Sequence, residues 1–379
     1  MKALTVDIGT GTLDVFLYDS DLDLENGIKL VVPSPTMMFH NRIRQATRRG
    51  QPVVVTGRLM GGGPVSWAAT DHLRAGCPLY ATPPAARTFD DDLEAVQRKM
   101  GVTLVSDDEA AALSEDVVRL ELRDFDYRAI VAALAGFGYR LDPDVLAVAV
   151  FDHGDSPPGY SDRQFRFDYL DRRIRARNRL STFAFRAEDV PSVMTRMQAV
   201  AESAQELDLP LMVMDTAPAA VLGATLDPSV GSREQIMVAN IGNFHCLVFR
   251  LGPAGIEGVF EHHTGEVTTQ RLDDLVEGLM EARLTHAEVF ADKGHGALLY
   301  HSTPMAWPAD DYGVVVTGPR RSMMRSSRHR PYFAVPYGDM MLAGCFGMLR
   351  ALPDVYPEFA EPILSSLEGA PGRPPWESR

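Results

Sequence analysis

Cysteine is scarce in this chain. Cys77, Cys246 and Cys345 are three residues in 379, far apart and without a C-x-x-C pair. That argues against a disulfide scaffold and against a closed zinc or iron–sulfur site, and makes a reducing cytoplasm the expected compartment. Positive charge is also short: 51 acidic residues outnumber 37 basic ones, a net charge of -14, which speaks against a nucleic-acid partner. No uninterrupted apolar run reaches spanning length, so no membrane is expected. Lys2 leads straight into a strand pattern instead of a signal-peptide core, and the chain reads as mature from Met1. What remains, 45% hydrophobic and 23% charged, is globular composition at a length suited to two domains or one large one.

The most informative stretch is the first eighteen residues. Leu4, Val6 and Ile8 alternate with small or polar neighbours, Gly9 and Gly11 break the pattern, and Leu13 to Tyr18 resumes an extended run. This predicts a β-hairpin with Asp7 at its mouth. Gly9, Thr10, Gly11 and Thr12 can turn N–H groups and hydroxyls toward an anion.

Farther along, Val53 to Thr56 reads as a strand that ends in Gly57, and Met60-Gly61-Gly62-Gly63-Pro64 precedes a helix from Ser66 to Ala75. Gly61, Gly62 and Gly63 read either as a substrate or anion cradle or as a tight turn; the lysine of a Walker loop is missing. Val145 to Phe151 is continuously apolar, as in a strand buried on both faces, and ends in Asp152-His153-Gly154. Ligand crevices lie beyond the carboxyl ends of such strands, so Asp152 and His153 are candidates for chemistry, with a solvated turn as the alternative. Ser161 to Phe185, rich in arginine and aromatics, reads as a substrate-facing loop. Its cluster of Arg163, Arg166, Arg172, Arg173, Arg175 and Arg177 is either a solvated face or an anion-binding patch. The strand Leu209 to Met214 leads through Asp215 into an alanine-rich helix, where Asp215 is a catalytic candidate or a helix cap.

The second half carries a weaker copy of the opening. Val238 to Phe249 lies over Thr5 to Phe16 without a gap, so that Asn240 matches Asp7 and Gly242 matches Gly9. Two such hairpins, one per domain, predict a clamp for a polyphosphate.

With these motifs in this order, the chain resembles the actin, heat-shock chaperone and sugar-kinase superfamily of ATP-binding proteins. Asp7-Ile8-Gly9-Thr10-Gly11-Thr12 matches its first phosphate hairpin and Asn240-Ile241-Gly242 its second. Met214-Asp215-Thr216 through Ala220 is similar to its connecting helix, Val315 through Pro319 to its adenosine loop, and Gly338-Asp339 through Gly344 to its final helix. More narrowly, Val55-Thr56-Gly57, the 60–64 loop, Thr88-Phe89-Asp90-Asp91-Asp92 and Asp152-His153-Gly154 resemble an uncharacterised family labelled "putative pyruvate formate-lyase-activating protein". The three-cysteine spacing of radical-SAM activators is absent.

The resemblance implies an α/β, two-lobed actin-like ATPase (ribonuclease-H-like) fold with duplicated hairpin-bearing domains and an interdomain cleft. Expected boundaries are a first lobe over 1–225 with an inserted substrate region, a second lobe over 226–337, a returning C-terminal helix over 338–368, and a flexible tail over 369–379. It also implies ATP and Mg²⁺ as cofactors. Gly9, Thr10, Gly11, Thr12, Gly242, Asn243, Thr317 and Gly318 would hold the nucleotide. Asp7 and Asn240 would hold the metal, with Asp7 carrying more because Asn240 stands where the superfamily has aspartate and brings no charge. Phe244 replaces a second glycine.

The leading expectation is an ATP-dependent phosphotransferase acting on a small molecule, anionic if Arg163 and Arg166 receive it. Asp215 would be the general base, through its resemblance to the hexokinase acid, and Asp152 with His153 the second choice. Two alternatives are a nucleotide-dependent switch acting on a partner protein and a metal-dependent hydrolase with His153, His262 and His263 as ligands. Oligomeric state stays open, with a homodimer among the alternatives.

Overall fold

A computed structural model describes residues 1–306 and 311–377. Its strands in chain order are Lys2–Ile8 (β1), Thr12–Asp19 (β2), Ile28–Pro33 (β3), Val53–Gly57 (β4), Leu79–Ala81 (β5), Thr103–Leu104 (β6), Val118–Leu122 (β7), Val145–Val150 (β8), Ala184–Arg186 (β9) and Leu211–Asp215 (β10). The second half adds Ile236–Ile241 (β11), His245–Gly252 (β12), Gly255–His263 (β13), Gly296–Leu299 (β14), Val314–Thr317 (β15) and Pro331–Phe333 (β16).

Two six-stranded sheets share one plan. The first runs β3-β2-β1-β8-β10-β9 and the second β14-β13-β12-β11-β15-β16. In each, a hairpin (β1–β2 or β11–β12) is antiparallel, and its first strand pairs in parallel with a strand from later in the chain, β8 or β15. The hairpins match bond for bond. Asp7 faces Asp14 across the first, and Asn240 faces Leu247 at the equivalent step of the second. The Gly9 N–H donates to the Thr12 carbonyl at 3.0 Å, and the Gly242 N–H to the His245 carbonyl at 2.9 Å. A gapless sequence overlay therefore has a physical basis: the same tight turn closes the same register. This is a duplicated ribonuclease-H-like fold, built from two sheets of one plan.

A third, all-parallel sheet, β6-β5-β4-β7, is inserted between β3 and β8 with its own apolar core around Val53, Val55, Val65 and Leu120. It is entered through the helix Pro35–Arg48, capped by Ser34, which accepts from the Met37 N–H at 3.4 Å. Pro64 starts the helix Pro64–Arg74, where a missing N–H costs nothing.

The helix Ala343–Val355 returns to the first sheet and buries Phe346, Met348, Leu349 and Leu352 against it, each worth about 1.5–3 kcal/mol of transfer free energy. It crosses the helix Thr216–Ala224 with almost no spacer. A Cβ on Gly347 would stand 1.8 Å from the Ala219 carbonyl oxygen, and one on Gly223 1.7 Å from that of Ala343.

One expectation fails here. Residues 161–185 are no loop: Asp162–Ala176 is a helix. Phe167, Leu170 and Ile174 recur at helical spacing and are buried, while Gln164–Asp168 and Asp171–Arg175 tie its outer face at i, i+4. The arginines between them obscure that stripe in the sequence. Among the described residues no helix is long and apolar enough to cross a membrane.

Candidate functional site

The two hairpins and the start of the final helix enclose one cleft of about 790 Å³, partly open to solvent. Asp7, Gly9, Thr10, Thr12, Asn240, Gly242, Asn243, Thr317 and Gly318 all line it. Gly11 stands at the meeting of the lobes, where a Cβ would lie 2.6 Å from Asn243 Nδ2. Gly318, at φ +95°, passes so close to Asn240 that a side chain there would strike its Oδ1 at 2.6 Å.

Asp7 sits at the carboxyl end of β1, with Oδ1 accepting from the Thr216 hydroxyl at 2.6 Å. Gly344 leaves it room; a Cβ there would lie 1.9 Å from Asp7 Oδ2. Sequence reasoning missed its partner, Asp14, the cross-strand neighbour on β2. The signal was a lone acid in the apolar run Leu13 to Tyr18. Burial, opposed by the Thr216 hydrogen bond, pushes the Asp7 carboxyl up to about 6. Burial and then the Asp7 charge push Asp14 up to about 8. Asp14 Oδ1 and Thr317 Oγ1 are buried without a hydrogen-bond partner. Two facing carboxylates with an orphaned oxygen are a donor set that fits a hard divalent cation.

A second cavity, about 1170 Å³, adjoins the first and shares Thr10, Phe151, Arg196, Phe244 and His245 with it. Gly61, Gly62, Gly63, Asp152 and His153 line it, together with Asp91. The Gly61 N–H donates to Asp124, whose carboxylate holds Arg196 at 2.7 and 3.0 Å. Asp152 has its oxygens occupied, accepting from the N–H groups of Gly154 at 2.8 Å and Met197 at 2.9 Å. His153 is exposed to the cavity. Burial and the neighbouring Asp155 charge raise Asp91 to about 6, in the range useful for proton transfer. Phe244 closes the wall between the cavities. Its ring would meet a Cβ on Gly63 at 2.4 Å and stands edge-on to Trp67 at 5.5 Å.

Three expected roles are corrected. Asp215 lines neither cavity; it is 1% exposed, caps its helix through the Ala217 N–H at 3.1 Å, and pairs with Arg166 at 2.8 Å. Arg166 cannot meet a substrate, because it is wholly buried between Asp215, the Asp152 carbonyl and Glu261 of the second lobe. Arg163 is likewise spent across the lobes, donating to the carbonyls of Phe290 and Gly294 and stacking on the Phe290 ring at 4.2 Å. One guanidinium shared by two carboxylates cannot fully offset both burials. Burial still leaves Asp215 raised, while Glu261, which adds imidazole neighbours to Arg166, overcomes its own burial and is held well below the usual range.

The histidine set expected for a hydrolase is not assembled. His262 is buried with Nε2 on the Asp292 carbonyl at 2.8 Å, and His153 lies in the second cavity. Instead His245, His263 and His295 cluster beside Glu261. The three cysteines are buried and free, and among the described residues the close grouping of ligand side chains contains none of them.

Comparison with solved structures finds an ethanolamine utilization protein EutJ from Carboxydothermus hydrogenoformans, at 11% identity over 93% of this chain and 89% of that one, TM-score 0.32. A ROK hexokinase from Thermus thermophilus matches at 11% identity over 93% and 98%, TM-score 0.31. A Ppx/GppA phosphatase from Aquifex aeolicus matches at 9% over 84% and 68%, TM-score 0.23. A search of curated protein sequences finds no match. Residues 60–323 match a family profile, and the chain belongs to that family, described as "Putative pyruvate format-lyase activating enzyme (DUF1786)".

Proposed function

We propose that the protein is a nucleotide-dependent phosphotransferase that binds Mg·ATP between its lobes and a small-molecule acceptor in the adjoining cavity. The observation that carries this reading is the convergence of two equivalent hairpins on one cleft with the carboxylates of Asp7 and Asp14 between them. Asp7 and Asp14 would hold the cation, which neutralises charge on the transferred phosphoryl group. The N–H groups and hydroxyls of Gly9 to Thr12, with Gly242 and Asn243, would take the phosphates, and Gly318 would border the adenosine. With Asp215 and Asp152 held by hydrogen bonds, His153 and Asp91 would be the first choices to accept the acceptor's proton. Arg163 and Arg166 lie outside the site and give no support for an anionic acceptor.

Thermal shift with Mg·ATP tests the premise, since ligand at 100 times its Kd stabilises by about 2.7 kcal/mol. Asp7→Ala should abolish the shift; an equal shift in wild type and variant would sink the cation assignment. ATP consumption against a metabolite panel then identifies the acceptor. A second reading is a nucleotide-dependent switch acting on a partner protein, favoured by Asn240 in place of an acid and by the sequestered Asp215. Nucleotide binding with turnover only on adding a second protein would select it.

A further inference from the structure

We propose that His245, His263 and His295 form a site for one divalent transition-metal ion, with Glu261 holding the imidazoles from behind. The cluster is a product of sheet register. β12 and β13 pair with His245 opposite His263, and β13 pairs β14 with Glu261 opposite Gly296, so His295 arrives beside them from the next loop. The backbone fixes that last step, because the His295 N–H donates to the Glu261 carbonyl at 2.9 Å.

The three ligand atoms lie within 4.8 Å of one another. Atoms so spaced share a point about 2.8 Å from each, so reaching the ~2.1 Å metal–imidazole bond requires each ring to move by less than about 1 Å. Side-chain rotation alone covers that distance.

The buried surroundings fit an ion on the far side of the rings. Nδ1 of His245, Nδ1 of His295 and Oε1 of Glu261 lie beside one another without an aligned hydrogen bond. His295 is 4% exposed and Glu261 0%, so water does not compensate them freely. A cation on Nε2 of each ring would fix the proton on Nδ1, where a small ring rotation lets it bond to the carboxylate and offsets part of the cost of about 1–3 kcal/mol per orphaned group.

Glu261 Oε1 lies 3.0 Å from His245 Nδ1 and 3.6 Å from His295 Nδ1, the carboxylate-behind-imidazole arrangement that fixes ring orientation at metal sites. Its other oxygen is anchored by Arg166 at 2.7 Å. Phe151 stacks on His245 at 4.1 Å and restrains that ring further. Three imidazoles select Zn²⁺, Co²⁺, Ni²⁺ or Cu²⁺ over Mg²⁺ and Ca²⁺, which keeps this site chemically distinct from the Asp7–Asp14 pair. A three-imidazole set leaves one tetrahedral position for water or a substrate oxygen. His245 lines both cavities, so that position would lie at the edge of the cleft.

The test titrates metal-stripped full-length protein with Co²⁺ in millimolar Mg²⁺, which masks the carboxylate pair. Expected are one equivalent bound with visible bands of a four-coordinate ion, displacement by Zn²⁺, and at least about 100-fold weaker binding in His263→Ala and His295→Gln. Exposed His301 supplies the control, His301→Ala, which should bind as wild type. His263 is only half-buried, so His263→Ala carries the test if the His295 variant fails to fold. Wild-type affinity weaker than about 100 µM, far below that of structural zinc sites, or unchanged binding in His263→Ala, overturns the proposal. Mg·ATP thermal shift reads the nucleotide site separately, so either reading can fail without the other.

Discussion

Replacing Arg166 by methionine separates the two roles that its sequence neighbourhood allows. The guanidinium is fully buried, bonds Asp215 at 2.8 Å and Glu261 at 2.7 Å, donates to the Asp152 carbonyl and stacks on Phe151 at 4.0 Å. Methionine keeps most of the volume but leaves two buried carboxylates without their cation. Breaking a buried ion pair from one side costs about 3–5 kcal/mol, and two stranded acids put this case near the upper end. At about 2 °C per kcal/mol for long chains, Arg166→Met should lower the Tm by roughly 10 °C. Differential scanning calorimetry measures it without assuming two-state unfolding. Adding Glu261→Gln, which removes one stranded charge, should recover part of the loss. Acidification supplies a second check. Arg166 holds the Glu261 carboxyl below its ordinary range, so that stabilisation is present above about pH 4.5 and lost as pH falls through the depressed value. Wild type should therefore lose more stability than Arg166→Met between about pH 5 and 3. A Tm within about 2 °C of wild type, which is under about 1 kcal/mol, together with a raised KM, would refute the clamp and restore a substrate-binding arginine.

Two further predictions concern the cleft and its support. Gly347→Ala pushes a methyl into the Ala219 carbonyl and should cost about 2–3 kcal/mol, whereas Gly265→Ala, with nothing within 4 Å, should not change Tm; equal values would show that the helix crossing yields. The Asp14 carboxyl is raised to about 8, so the folded state holds its proton more tightly and unliganded stability should fall as pH rises from about 4 to 8. Asp14→Asn should flatten that fall and raise the Tm at pH 8 while weakening Mg·ATP binding; an unchanged profile would mean that the acid is not a stored cost.

The fold was legible because its defining unit is local. A tight turn that needs Gly9 and Gly242 at fixed offsets between apolar strands leaves a mark in sequence, and finding it twice implies duplication. Asp7 and Asn240 stood out through the same hairpins, whereas Thr317 and Gly318 stood out only through the resemblance of residues 315–319 to an adenosine loop. Roles that depend on distant partners did not. Asp215 ends a strand before an alanine-rich helix whether it faces substrate or Arg166, and only the position of residues 162–176 decides which. The histidine cluster was invisible for the same reason. His245, His263 and His295 come from two strands and a loop, and no spacing along one strand announces them.

Phe244 has a consequence for rates. It occupies the place that Gly11 holds in the first hairpin, and its ring ties the second lobe to the inserted sheet through Gly63 and Trp67. A glycine there would let the lobes part freely; an aromatic bolt makes each opening break a packed contact worth about 0.5–1.5 kcal/mol beyond its buried area. Bound ligand should then dwell about two- to twelvefold longer than in Phe244→Gly, a difference that stopped-flow nucleotide release resolves. Equal release rates would show that the bolt holds nothing. The residue that breaks the repeat is thus placed to set how long the cleft stays shut.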